Sequence, residues 1–89
     1  MKANRVCLTS GYKFEYAHAS SRGNWWRTDS DSQWDIVSHK VVCGKLLGRR
    51  RIDGAQVAVV RAGGKIYASQ YIKTPKGVQM AGARRRRRR

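Results

Sequence analysis

Residues 45–72 read KLLGRRRI-DG-AQVAVVRA-GG-KIYASQYI. Asp53-Gly54 and Gly63-Gly64 are two-residue hairpin loops of the kind that needs positive φ at both central positions. Eight residues, Ala55 to Ala62, separate them. The stretch predicts an antiparallel meander of three strands, about 45–52, 55–62 and 65–72. Two-residue loops fix the register, and period-two alternation then assigns faces. One face carries Leu46, Ile52, Val57, Val59, Ile66 and Ala68, with Arg50 and Arg61 near its margins. It reads as core. The other carries Lys45, Arg49, Arg51, Gln56, Lys65, Tyr67 and Tyr71, with Leu47, Ala58 and Val60 between them. It mixes cations with aromatics.

Upstream, Tyr12, Phe14, Tyr16 and His18 alternate with Lys13, Glu15, Ala17 and Ala19, as in a half-buried strand. Turn residues 20–24 follow. Trp25-Trp26-Arg27-Thr28 then predicts a second strand returning as an N-terminal hairpin. Residues 29–33 form a polar loop rich in helix-capping types. Residues 34–47 hold several β-branched side chains and Gly44. An extended segment is favoured there, with one helical turn near 30–37 as the alternative. Beyond Ile72, Lys73 to Gly77 reads as a chain exit, and disorder is expected from about residue 74. The expectation is a small single domain, mostly β or α+β, over residues 1–73, with a disordered basic C-terminal tail over 74–89.

Charge decides the partner class. Twenty Lys and Arg oppose five acids, for a net +15. Removing the terminal arginines still leaves +9 on residues 1–83. Asp53 is the last acid, so residues 1–53 carry +5 and residues 54–89 carry +10. Self-repulsion of this size opposes the compact state, and a polyanion relieves it. Arg84, Arg85, Arg86, Arg87, Arg88 and Arg89 cannot all be neutralised by any local fold. Guanidinium forks bind phosphate bidentately. The plainer reading of the run is a solvated or appended tail.

Two further constellations suit nucleic acid. Arg49, Arg50 and Arg51 lie beside the Asp53-Gly54 turn. Alternation places Arg49 and Arg51 on the face of Lys65, Tyr67 and Tyr71, where cations would track a backbone and rings would stack on bases. The competing reading is a solvated face whose charges discourage edge-to-edge aggregation. Trp25 and Trp26, with Arg27, form the other. Neighbours in a strand point to opposite faces, so in a single sheet one indole packs inside and the other is exposed, but the favoured reading is that a second layer buries both.

Other chemistries find less support. Cys7, His18, His39 and Cys43 make a two-Cys, two-His set, but the spacing is not that of a zinc finger and no C-x-x-C occurs. No metal or cofactor is expected. Glu15, Asp29, Asp31, Asp35 and Asp53 are scattered, and no nucleophile elbow or phosphate loop is present, so no enzymatic activity is expected. Residues 1–5 do not lead into a secretory apolar run, and no stretch is long enough to span a bilayer. A cytoplasmic location with reduced cysteines is therefore the expectation, with one Cys7–Cys43 disulfide as the alternative. The leading function is binding of nucleic acid, RNA or single strands ahead of duplex DNA. The alternatives are a basic module docking on an acidic partner protein, and a ribonucleoprotein subunit. Oligomeric state is open.

Overall fold

The structure, a computed structural model, describes residues 5–9, 12–18, 23–38, 41–74 and 77–81. Its strands are β1 (Arg5–Leu8), β2 (Tyr12–Tyr16), β3 (Trp34–Ser38), β4 (Val42–Ile52), β5 (Ala55–Ala62), β6 (Lys65–Ser69), β7 (Tyr71–Thr74) and β8 (Gly77–Met80). A single helical turn, α1 (Trp25–Thr28), and a 3-10 turn at Asp31–Gln33 precede β3. All eight strands join one antiparallel sheet in the order β3-β2-β6-β5-β4-β1-β7-β8. The protein is a small, mostly β domain.

The meander forms as its turns dictate. Asp53 and Gly54 have φ of 51° and 79°, and Gly63 and Gly64 have 60° and 82°, so both loops twist with the strands they join. Ala55 pairs with Ile52 and Lys65 with Ala62, directly across each loop.

Two cores lie on opposite faces of β5. Val57 and Val59 face a cluster with Tyr16, Trp26, Trp34, Ile52, Ile66 and Ala68. Ala58 and Val60 face another with Val6, Leu8, Val42, Ile72 and Ala81. All four of these β5 residues are fully buried. The expected cation-aromatic face is thus covered at its centre, because side chains of β1 and β7, strands of the same sheet, pack against it. Sequence alternation alone cannot reveal side chains that distant strands bring to this face.

A β-bulge corrects the face assignment in β4. Leu46 pairs with Val60, but Gly48 pairs with Val59, so Leu47 is the extra residue. The phase of alternation flips there. Leu46 packs on the second core and Leu47 on the first, the reverse of the expectation.

Three other segments differ from the sequence reading. Trp25–Thr28 is helical, with Asn24 and Trp25 carbonyls accepting from Arg27 and Asp29 N–H at 2.9 and 3.0 Å. The hairpin partner of β2 is therefore β3, from Tyr12 opposite Ser38 to Tyr16 opposite Trp34. The extended reading of residues 34–47 holds at Trp34–Ser38 and from Val42 onward. Residues 65–72 are not one strand. Ser69 Oγ accepts from the Tyr71 N–H at 3.3 Å, the chain bends at Gln70, and Tyr71 joins β7 beside β1. Finally, β8 pairs with β7 from Tyr71 opposite Met80 to Thr74 opposite Gly77, so residues 77–81 belong to the sheet. Ala81 closes the second core, and its N–H donates to the Gln70 carbonyl at 2.6 Å. The run Arg84–Arg89 lies outside the described residues.

Candidate polyanion interface

The five acids decide which cations remain available. Asp29 accepts from the Tyr16 hydroxyl. Asp31 takes the Arg50 guanidinium on one oxygen and the Asp53 N–H, at 3.1 Å, on the other. Glu15 pairs with Lys65 at 3.1 Å. Asp35 is exposed on β3 and Asp53 sits in the β4–β5 turn. Every acid thus lies on β2, β3, the α1 region or that turn. None lies on β1, β7 or β8, nor on β4 or β5 themselves.

Those strands carry cations instead. Lys45 on β4 stands directly opposite Arg5 on β1 and directly opposite Arg61 on β5. Facing partners in an antiparallel ladder project to the same side, with Cβ atoms about 5 Å apart. Arg61, Lys45 and Arg5 therefore form one rung across three strands, roughly 10 Å wide. Lys73 on β7 faces Cys7, two residues along β1 from Arg5, and so joins the same face. All four cations are exposed, and none meets a carboxylate among the described residues. Like charges placed opposite one another cost stability. A rung of three is a feature that a polyanion would relieve.

The rung exists because the backbone is tight beneath it. Gly44 leads into Lys45, and a Cβ at Gly44 would press on the Arg61 carbonyl oxygen and lie 2.9 Å from its carbon. Glycine allows β4 and β5 to approach there. The bulge at Leu47 then turns Lys45 to the side of Arg61 and away from the second core.

Aromatic and apolar groups border the cations. Tyr71, 37% exposed, lies on the same side of β7 as Lys73. Its partner Met80 and the Lys73 partner Val78 extend this side onto the edge strand β8, and both are exposed.

The residues singled out from sequence divide into distinct environments. Arg50 is a structural anchor. Its guanidinium donates to the Trp26 and Asp29 carbonyls, each at 3.0 Å, as well as to Asp31. Arg49 is exposed but donates through Nε to the Ala81 carbonyl at 2.9 Å. Arg51 is exposed beside its turn, with a 3.3 Å bond to the Gly54 carbonyl. The hydrogen bond from Lys65 to Glu15 and the charge of that carboxylate hold the ammonium above its usual range. Tyr67 packs half-buried on the second core, away from Tyr71. The ladders place Arg49, Arg51, Lys65 and Tyr67 on the one side expected, that of Ala58 and Val60, but the second core lies among them and Tyr71 projects from the opposite side. Lys13 is fully buried, and burial lowers its pKa.

The tryptophans separate, against the favoured expectation that both are buried, and they do so on a helical turn. Trp26 is 2% exposed and Trp25 60%. The Trp26 ring lies against Gly48, where a Cβ would come within 2.9 Å of Cη2, so glycine makes the seat for the indole. Arg27 stacks its guanidinium 4.6 Å from the Trp26 ring centre.

Cys7 and Cys43, facing partners on β1 and β4, are joined in a disulfide. This corrects the expectation of reduced thiols and removes both from any metal site. His39 lies outside the described residues, and no metal-binding cluster occurs among the described ones. No helix among the described residues is long and apolar enough to cross a membrane.

Arg5, Lys45, Arg61 and Lys73 were not selected from sequence as a site. They are far apart in the chain, and only strand pairing aligns them. The available signal was Lys45 and Arg61 flanking a meander of known register. No protein-family model matches the chain, and neither curated proteins nor solved structures yield a match.

Proposed function

We propose that the protein is a non-enzymatic nucleic-acid-binding protein that takes RNA or single strands on the open face of β5, β4, β1 and β7. The observation that carries this reading is the rung Arg61–Lys45–Arg5, with Lys73 beside it and no carboxylate on these strands. Phosphates supply the missing counter-charge, and release of condensed counterions drives association. Tyr71 offers a ring next to Lys73, and Trp25 a second ring on α1, for stacking of unpaired bases. Single strands are favoured because the only helix among the described residues spans four residues, too short to read a major groove. Arg84–Arg89 adds sequence-blind attraction at longer range.

The test is equilibrium binding of labelled single-stranded RNA and duplex DNA over a range of salt. The proteins compared are the full chain, a chain ending at Ala83, and a Lys45→Gln/Arg61→Gln variant of each. Binding that survives removal of the tail, and whose salt slope falls by about one for each rung cation removed, supports the interface. Binding that is lost with the tail and indifferent to the rung would sink it.

One observation favours a second reading, a basic module docking on an acidic partner protein. Tyr71, Val78 and Met80 make an exposed apolar strip beside Lys73, the layout of a protein contact with a charged rim. Loss of nucleic-acid binding with the tail would move the weight to this reading.

A further inference from the structure

The Cys7–Cys43 disulfide occupies the middle of the basic face, in a setting unlike that of a buried structural bridge. Cys43 is exposed, whereas Cys7 is partly covered. Cys7 and Cys43 line a groove of about 430 Å³ whose walls also include Arg5 and Lys73. Lys73 is the facing partner of Cys7 on β7, and Arg5 lies two residues before Cys7 on the same side of β1. Lys45 stands in the same relation to Cys43 on β4. No acid lies on any of these strands.

This arrangement distinguishes the two sulfurs. Thiolates are the attacking and leaving species in disulfide exchange, and nearby cations stabilise them. Attack is governed by access, which favours Cys43. Departure is governed by stability of the leaving thiolate, which favours Cys7 between Arg5 and Lys73. The same cations draw an anionic thiol into the groove.

From this geometry we infer that the Cys7–Cys43 pair is a thiol–disulfide exchange site selective for anionic thiols, with Cys43 attacked and Cys7 leaving. An incoming thiolate forms a bond to Cys43 Sγ while the Cys7–Cys43 bond breaks, and its electron pair leaves on Cys7 Sγ. A second thiolate attacks the outer sulfur of this mixed disulfide and releases the Cys43 thiolate. Two small thiols are oxidised to their disulfide, the protein disulfide is reduced to two thiols, and the two protons of the small thiols end on the cysteines. This chemistry needs no nucleic acid, so it stands or falls independently of the proposed interface.

The test uses the full-length oxidised chain without nucleic acid at about pH 7. Reduction rates are compared for glutathione, a net-anionic thiol, and cysteamine, a cationic one, at about 20 mM and about 500 mM salt. Samples are quenched early, the freed thiol is capped with N-ethylmaleimide, and the adduct is mapped by mass spectrometry. The expected result is that the glutathione rate falls at least about threefold with salt while the cysteamine rate does not fall. Glutathione should be found on Cys43 and the maleimide on Cys7. The proposal is overturned by resistance of the native protein to both thiols, by equal salt responses, or by glutathione residing chiefly on Cys7.

Discussion

Lys45 and Arg61 face each other as direct partners across β4 and β5, two cations in a position where antiparallel ladders favour opposite charges. Arg5 continues the repulsion on the far side of Lys45. Lys45→Gln should therefore raise stability by about 0.5 kcal/mol at low salt while weakening nucleic-acid binding. Chemical denaturation and binding titrations on the same variant check both signs. A variant that loses stability and keeps affinity would show that the rung is neither strained nor used.

Arg50 and Arg51 are adjacent, yet only Arg50 holds the α1 region to β4. Arg50→Ala takes the guanidinium donor from the Trp26 and Asp29 carbonyls and from one oxygen of the Asp31 carboxylate. It should cost about 3 kcal/mol, whereas Arg51→Ala should stay within about 0.5 kcal/mol. Thermal melts would separate the two, since about 1 kcal/mol moves the midpoint of a domain this size by several degrees. Equal midpoints would contradict the anchoring role.

Burial and its bond to Asp29 push the Tyr16 hydroxyl up to about 12, with Arg50 opposing the shift. The fold thus favours the neutral phenol. Its stabilising contribution is complete below the unfolded value near 10 and is lost as pH rises from about 10 to 12, where only the unfolded chain releases the proton. Denaturation midpoints should decline across that window. Tyr16→Phe should flatten the decline, although it starts from lower stability because Asp29 loses a donor. An unchanged alkaline slope in Tyr16→Phe would assign the effect elsewhere.

Gly44→Ala places a methyl group against main-chain atoms of Arg61, which cannot move without opening the β4–β5 ladder. A loss of about 3 kcal/mol is expected. Gly64→Ala meets no atom within 4 Å but must hold φ near 82°, and should cost about 1–2 kcal/mol. Ranking the two by urea unfolding distinguishes packing from backbone strain, and the reverse order would contradict the close approach at Gly44.

Trp26→Phe removes part of a fully seated indole, whereas Trp25→Ala trims a side chain that is mostly in solvent. The first should cost about 2 kcal/mol and the second under about 0.5 kcal/mol. If Trp25 stacks on bases, Trp25→Ala should also reduce affinity for single-stranded RNA at unchanged salt slope. Fluorescence titration would register this, and an unchanged affinity would remove Trp25 from the interface.

The sequence by itself determined the meander, because Asp53-Gly54 and Gly63-Gly64 admit few backbone conformations and two-residue loops lock register. It also determined the excess of cations. Tertiary structure decided the rest. The bulge at Leu47 reversed the faces of Leu46 and Leu47, since one extra residue shifts a period of two by half its length. Side chains of β1 and β7 covered Ala58 and Val60 and buried the face that alternation had left open. Arg5, Lys45, Arg61 and Lys73 met on one side, and Cys7 met Cys43, only through ladders joining segments far apart in the chain. Local pattern reports what a strand can present to either side. Which side faces solvent, and which distant charge stands opposite, depends on pairings that no short window of residues contains.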